Sequence, residues 1–345
     1  MTAPRLYYQN EGITGAGYYS EVMIGCRQIT KQASQLCLDA IDAVLFSGNG
    51  CFLLADFATA DGGNSMELIK FLIDALKKKH GHKFDIQVIH EDQPSNDWTS
   101  FFKRVQGMIS EPESYLVAHP DVPCTVTDGF RPAEITVAEE REMFKRQAAE
   151  DWETILVHRA RELRPGGRLV IVPFATDKDK QYTGNTKRIK CNCFNLLSKE
   201  CRELVNRGVI TKEEFQNMNH NVYYRTEEEL KEPLINVDSP VYKLGLRLVS
   251  IEVKQVNCYF QDRWVEIGDN GDIAEARAHA KSYVSSFRIW AHSDLLHGLS
   301  DSRSPEEKAN ILDAFFQSFE DAVAENPRDH GKDYIVAYVH MRKLE

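Results

Sequence analysis

Two acidic side chains stand just beyond two short apolar segments of this sequence. Asp56 follows the continuous run Cys51–Ala55, and Asp92 follows shortly after the alternating segment Phe84–Ile89. In an open parallel sheet, ligands bind beyond the carboxyl ends of the strands. A carboxylate placed there forms charge-assisted hydrogen bonds with an ammonium group or with hydroxyls. Asp56 and Asp92 are therefore predicted to hold a small ligand that carries such groups.

The residues after Asp56 are small, which lets the backbone pass close beneath a ligand. They read Ala58-x-Ala60-x-x-Gly63, whereas a dinucleotide enzyme uses Gly-x-Gly-x-x-Gly to receive a pyrophosphate. A nicotinamide enzyme is thus disfavoured, and a ligand without phosphate is favoured. The alternative is an ordinary strand-to-helix turn in which Asp61 or Asn64 caps the helix.

The elements that position these acids form a βαβ unit. A helix over Asn64–Lys79 separates the two predicted strands, and such units form right-handed parallel crossovers. Further strands are predicted over Arg168–Val172, Leu244–Val256 and Asp333–Met341. Further helices are predicted over Ile29–Phe46, from Glu139 to the Pro-Gly-Gly turn at 165–167, and over Leu196–Asn206, Thr226–Leu230, Ala274–Leu295 and Pro305–Glu325. The fold class is therefore α/β, with the later helices expected to cap the sheet.

Composition narrows the function classes. The chain has 345 residues, of which 42% are hydrophobic and 27% charged, which are ordinary values for a globular protein. Its net charge of −10 disfavours nucleic acid and anionic membranes as partners. There is no signal peptide or membrane span in the sequence, so a cytoplasmic location is expected. The eight cysteines are too sparse for a disulfide scaffold, and the histidines match no metal-ligand spacing, so no metal is expected.

Three features together resemble class I S-adenosylmethionine-dependent methyltransferases. They are the acid and small residues from Asp56 to Gly63, the acid at Asp92, and the Pro-Gly-Gly turn within Leu163–Val170. A closer resemblance is to the SABATH family of small-molecule carboxyl methyltransferases. It is carried, in chain order, by Gly17–Ser20, Ala55–Phe57 with Gly63-Asn64, Glu91–Trp98, and the segment Asn219–Glu229, and it covers nearly the whole chain.

This resemblance implies a Rossmann-like class I methyltransferase sheet with a helical cap. The expected division is a cofactor-binding core over 1–175, cap over 176–240, a core strand within 241–263, cap over 264–330, and a final core strand within 331–345. It implies S-adenosyl-L-methionine as cofactor, a small lipophilic carboxylic acid as methyl acceptor, and a homodimer. No catalytic residue is assigned, because a carboxylate is already ionised at neutral pH and needs no general base.

Site residues follow from the resemblance by position. Asp56 is expected to hold the methionine end of the cofactor with help from Asn64, and Asp92 to bind the ribose with Gln93 beside it. Tyr19 is expected near both cofactor and acceptor. The other acceptor-binding candidates are Gln28 and Trp290.

The chain departs from the family in two places. Met23 and Cys26 stand where the family has a serine for the cofactor and a glutamine for the acceptor carboxylate. After Leu116, several dozen residues are absent, most naturally around Val122-Pro123, including a tryptophan-bearing segment and a strand. We therefore expect either a gap in the sheet or closure of its neighbouring strands, with apolar surface left for a partner subunit to cover, and weak or absent methyl transfer. A non-catalytic, cofactor-binding relative that acts as an interaction or dimer partner is the alternative function.

Overall fold

The computed structural model describes residues 17–92, 96–105, 108–109, 124–127, 138–191, 193–218, 223–268 and 272–345. Gln93 and the residues around Val122-Pro123 lie outside these ranges. The described strands form two three-stranded sheets.

The first sheet is parallel and has the order β1-β2-β3. Strands β1 (Cys51–Phe57) and β2 (Asp85–Glu91) pair in register from Cys51 opposite Asp85 to Phe57 opposite Glu91, and β3 (Cys124–Thr127) pairs with the end of β2. Helix α4 (Met66–His80) makes the crossover between β1 and β2. The predicted βαβ unit is therefore confirmed, and β3 shows that a strand remains in the shortened tract.

The second sheet has the order β4-β6-β5 and is antiparallel. Strand β6 (Tyr334–Lys343) lies between β4 (Arg168–Ile171) and β5 (Leu246–Val256), and runs opposite to both. The three strands were predicted in position. The antiparallel pairing of these strands was not predicted. Alternation of side chains shows which face of a strand is buried, but not the direction of the neighbouring strand.

The two sheets are separate among the described residues, where no ladder joins β1 to β4. Along β1, Leu53 and Phe57 are 40% and 39% exposed. Among the described residues β1 pairs only with β2, and the gap expected from the shortened tract stays a prediction.

One predicted helix, Ile29–Phe46, is two helices in the structure. Helix α2 (Ile24–Gln32) ends at Ala33 and α3 (Ser34–Asp42) follows at once. Ile29 of α2 belongs to an apolar cluster on the second sheet, whereas Ile41 of α3 belongs to the cluster on the first. The bend lets one segment pack on both sheets.

The remaining described helices include those predicted, at 138–162, 193–206, 227–235, 273–298 and 305–325, together with five others. They are α1 (Tyr18–Val22), α5 (Trp98–Val105), α6 (Ala138–Glu162), α7 (Cys193–Asn206), α8 (Lys212–Asn217), α9 (Glu227–Ile235), α10 (Pro240–Lys243), α11 (Tyr259–Ile267), α12 (Ile273–Gly298) and α13 (Pro305–Glu325). Helices α7, α12 and α13 share one apolar cluster, centred on Phe287, Phe315 and Phe319. Helix α9 instead packs Leu230 and Leu234 against the second sheet. The division into core and cap segments stays a prediction.

None of the helices in the described ranges is long and apolar enough to cross a membrane. Within the same ranges, no three histidine, cysteine or acidic side chains are grouped to hold a metal ion.

Candidate functional site

The loop after β1 carries the conformation that its small residues predict. Ala58 and Ala60 both have left-handed backbones, with φ of 59° and 51°, and Gly62 has φ of 80°. An L-residue in this region costs about 1–2 kcal/mol relative to a right-handed one. The two alanines thus keep a glycine-like backbone, which brings the loop across the ends of β1 and β2.

Asp92 fastens this loop to the end of β2. Its Oδ2 accepts a hydrogen bond from the Ala60 N–H at 2.7 Å, and Thr59 N–H donates to the Glu91 carbonyl at 3.1 Å. Asn96 holds the other side of the turn, with Nδ2 donating to the Ala60 carbonyl at 2.6 Å. Asp92 is buried in this arrangement. The structure therefore places Asp92 beside the loop that starts at Asp56, as expected for two acids at one sheet edge.

Asp56 lies at the centre of a second group of polar contacts. Its Oδ2 accepts hydrogen bonds from Thr59 Oγ1 at 2.8 Å and Ser65 Oγ at 2.7 Å, and lies 3.2 Å from His90 Nδ1. His90 is fully buried and also lies 3.1 Å from Thr59 Oγ1. All three contacts reach Oδ2, and the Asp56 side chain stays 20% exposed. Oδ1 therefore has no hydrogen bond from the described residues and is available to a cation.

Asp61 is a third acid at this edge, and its sequence pattern indicated nothing beyond a possible helix cap. Both of its oxygens bind Ser20, through the Ser20 N–H at 3.0 Å and the Ser20 hydroxyl, and Oδ1 also accepts the Gly63 N–H at 3.1 Å. Arg104 lies 3.5 Å from Oδ2, and both side chains are 1% exposed. Asp61 thus joins α1, the loop and α5 into one buried unit.

Neither Asp61 nor Asn64 caps helix α4. The N-cap is Ser65, and its side chain makes no capping bond. Asn64 instead donates weakly from Nδ2 to the Met23 carbonyl at 3.5 Å, while its Oδ1 is buried without a hydrogen bond from the described residues. A buried amide oxygen without a donor is costly, and a ligand that brings an N–H or O–H would satisfy it.

Tyr19 connects the cofactor edge to the departures near it. Burial raises the pKa of Tyr19 well above its ordinary value, and the nearby Cys26, Asp61 and Asp92 raise it further. Cys26 is one of the groups that raise the pKa of Tyr19, and burial raises the pKa of the Cys26 thiol. Tyr19 therefore lies between the acids of the cofactor edge and the position where the family has its glutamine.

The two other acceptor candidates are Trp290 and Gln28. Trp290 packs on Phe287 of the helical cluster, with ring centres 5.5 Å apart, and Lys332 Nζ lies 5.1 Å from its ring centre. Gln28 has a buried Oε1 without a hydrogen bond from the described residues. Lys332 was not predicted, since a single lysine before a strand carries no motif.

The comparisons place this fold and site in a family. The sequence model of the SAM dependent carboxyl methyltransferases matches residues 132–344, more than half of the chain. The chain therefore belongs to the S-adenosylmethionine-dependent carboxyl methyltransferases, the family that the sequence resemblance indicated. Its α/β class and its cofactor, S-adenosylmethionine, agree with that membership.

Known relatives are distant. A probable S-adenosylmethionine-dependent methyltransferase of Arabidopsis thaliana is 24% identical over 272 residues, which span 65% of this chain and 70% of that protein. A benzoate O-methyltransferase of Zea mays is 26% identical over 204 residues, and the match spans about half of its length, 49%. The structure of a loganic acid methyltransferase with S-adenosylhomocysteine superposes with a TM-score of 0.70 at 16% identity, covering 97% of this chain and 98% of that one. This likeness shows the shared fold.

Proposed function

We propose that this chain binds S-adenosylmethionine between the ends of β1 and β2 and methylates the carboxylate of a small lipophilic acid. The observation that carries the proposal is the left-handed loop at Ala58 and Ala60, fastened by Asp92 and starting at Asp56. This loop has the left-handed backbone that glycine adopts most readily, although alanines stand at 58 and 60.

The residues present fit the cofactor. Oδ1 of Asp56 is open to an ammonium group, and the buried Oδ1 of Asn64 accepts one more donor. Asp92 is proposed to bind the ribose hydroxyls, with Gln93 following it in the chain. Gly63 admits no side chain, because a Cβ there would lie 2.2 Å from Ser20 Oγ. The loop is therefore packed tightly against Ser20 and Arg104 at this point.

The chemistry asks little of the protein. When bound, S-adenosylmethionine supplies an electrophilic methyl group on a sulfonium centre. The chain has to hold an acceptor carboxylate in line with that methyl and exclude water, and orientation of this kind accounts for up to about 7–11 kcal/mol of a barrier. Tyr19, between the cofactor acids and Cys26, is positioned to form the wall that the two ligands share.

A cytoplasmic homodimer is part of this proposal. The cysteines whose side chains are described are all free thiols, which supports a reducing compartment. The exposed apolar side chains of Leu53 and Phe57 on β1 support association with a second copy.

A non-catalytic role as a cofactor-binding dimer partner is the second candidate, and Cys26 favours it. The Cys26 thiol, which lies near Tyr19, does not replace the amide that orients an acceptor carboxylate. If no other group takes over, turnover falls by several orders of magnitude.

The first experiment is calorimetric titration with S-adenosylhomocysteine and with NAD. We expect the former to bind and the latter not to bind. Asp92→Asn should weaken S-adenosylhomocysteine binding about 10- to 100-fold, because a hydrogen bond to a charged group contributes about 1.5–3 kcal/mol. Asp85→Asn, at the exposed start of the same strand, is the matched control. Equal affinities in both variants would remove Asp92 from the site.

The second experiment separates the two candidate functions. A radiolabelled methyl-transfer screen over aromatic and fatty acids compares this chain with a version that carries the central tract of a close relative. Turnover by the spliced version alone would support the non-catalytic role, and turnover by both would support the enzyme.

A further inference from the structure

Lys332 is a buried lysine inside a ring of aromatic side chains. It lies two residues before β6 and is 5% exposed. Its Nζ lies 4.4 Å from the ring centre of Phe287, 5.1 Å from that of Trp290 and 5.2 Å from that of Tyr334. Aromatic faces attract a cation but do not replace the hydrogen bonds that an ammonium group loses on leaving water.

The amine has no carboxylate beside it in the described part of the chain. Its neighbour Asp333 is fully buried but is occupied by Arg188, whose Nε lies 3.1 Å from both oxygens, and by Thr186 Oγ1 at 2.6 Å. Burial lowers the pKa of Lys332. An amine that is buried without an acid is destabilising, and such groups concentrate at functional sites.

The position of Lys332 links it to the cofactor edge. Burial raises the pKa of the nearby Cys26 thiol and the amine lowers it, and Tyr19, whose pKa is raised by burial and then by Cys26 and Asp92, lies on the helix before it. Lys332 also lines a cavity with Gly25, Tyr283 and Tyr334. The cavity holds about 10 Å³, the room of one water molecule, so an entering acid has to move the surrounding rings.

We propose that Lys332 binds the carboxylate of the methyl acceptor and that the rings of Phe287, Trp290 and Tyr334 select an aromatic acid. This inference rests on the proposed function and names the group that takes over from the glutamine replaced by Cys26. One carboxylate oxygen accepts from Nζ, while the other stays free to attack the methyl carbon as the carbon–sulfur bond breaks. The acid supplies the counter-ion that the described residues around Lys332 do not.

The test is the affinity of the protein saturated with S-adenosylhomocysteine for benzoate and for benzamide, measured by calorimetry. The two probes have the same shape and differ in charge. We expect wild type to prefer benzoate by about 10- to 100-fold, and Lys332→Met to lose that preference. Lys187→Met, at an exposed lysine paired with Asp179, should keep it. An unchanged preference in Lys332→Met, or no benzoate binding by wild type, would overturn the inference.

Failure of the proposed function gives a different result. The proposed enzyme is contradicted if S-adenosylhomocysteine does not bind, or if benzoate binds without methyl transfer. In either case the role of Lys332 is decided by benzoate binding to the protein alone. Should Lys332→Met not fold, wild type decides the matter by acetic anhydride labelling and peptide mass spectrometry. Benzoate but not benzamide should slow acetylation of Lys332 several-fold, and equal labelling with both would refute the assignment.

Discussion

Replacing Asp61 by asparagine should cost this protein about 3–5 kcal/mol of unfolding free energy. The substitution keeps the shape of the side chain and removes its charge, and Arg104 lies 3.5 Å away with both side chains 1% exposed. Breaking a buried ion pair by removing one partner costs about this much. The bonds from Ser20 and Gly63 also lose a charged acceptor, although the asparagine oxygen retains part of them.

Urea denaturation followed by circular dichroism measures the loss as a shift of the transition midpoint. The matched control is Asp42→Asn, which breaks a 2.8 Å ion pair with Lys79 whose side chains are 51% and 42% exposed. An exposed pair contributes less than about 1 kcal/mol. If Asp61→Asn cost no more than Asp42→Asn, the buried unit of α1, loop and α5 would not stabilise the fold as described.

Three further changes test other parts of the structure. Ala58→Gly should stabilise the chain by about 0.5–1 kcal/mol in urea denaturation, because relief of a left-handed alanine exceeds the entropy cost of glycine and the side chain is exposed. Gly63→Ala should weaken S-adenosylhomocysteine binding at least 10-fold in calorimetry, since its Cβ would press on Ser20 and displace the loop. Glu214, whose pKa Arg303 lowers to about 2, should contribute stability that is full above its ordinary pKa of 4.5 and is lost as pH falls toward 2, about 3 kcal/mol in all.

Each of these has a control. Ala55→Gly, in strand β1, should destabilise where Ala58→Gly stabilises, and a loss at both positions would contradict the strain argument. The Cβ that Gly50→Ala adds meets no atom within 4 Å, so this variant should leave the affinity for S-adenosylhomocysteine unchanged. Glu214→Gln should flatten the acid limb of the stability curve, and an identical curve in the variant would assign that limb to other groups.

The first half of the site was predictable because its information is local. The apolar run before Asp56 and the alternation before Asp92 define two strands, and a parallel crossover necessarily brings their ends to one edge. Ala58 and Ala60 have positive φ values, so the turn has a glycine-like backbone, while its close approach to a ligand stays a prediction. Assignment of the cofactor groups to Asp56, Asn64 and Asp92 stays a prediction.

The other half depends on contacts between distant parts of the chain. The cage around Lys332 combines Phe287 and Trp290 of α12 with Tyr334 of β6, and no spacing in the sequence records that these meet. The boundary between α2 and α3 at Ala33 carries no proline or glycine, so the sequence did not indicate it. The two helices pack against different sheets. From its local sequence, Asp61 was considered only as a helix cap. Its contact with Arg104, more than forty residues away, could not be predicted from spacing.

The separation of the two sheets also bears on how cooperatively the molecule unfolds. The apolar cluster around β1 and β2 contains Phe52, Ile73 and Val88, and that around β4, β5 and β6 contains Leu169, Leu246 and Val339. Arg159 spans them, since it extends from α6 to Glu91 at 3.1 Å and lies 4.0 Å over the Phe57 ring. A nucleoside bound at the first sheet stabilises the first of these two units directly. Arg159 is among the side chains through which the second unit is stabilised as well.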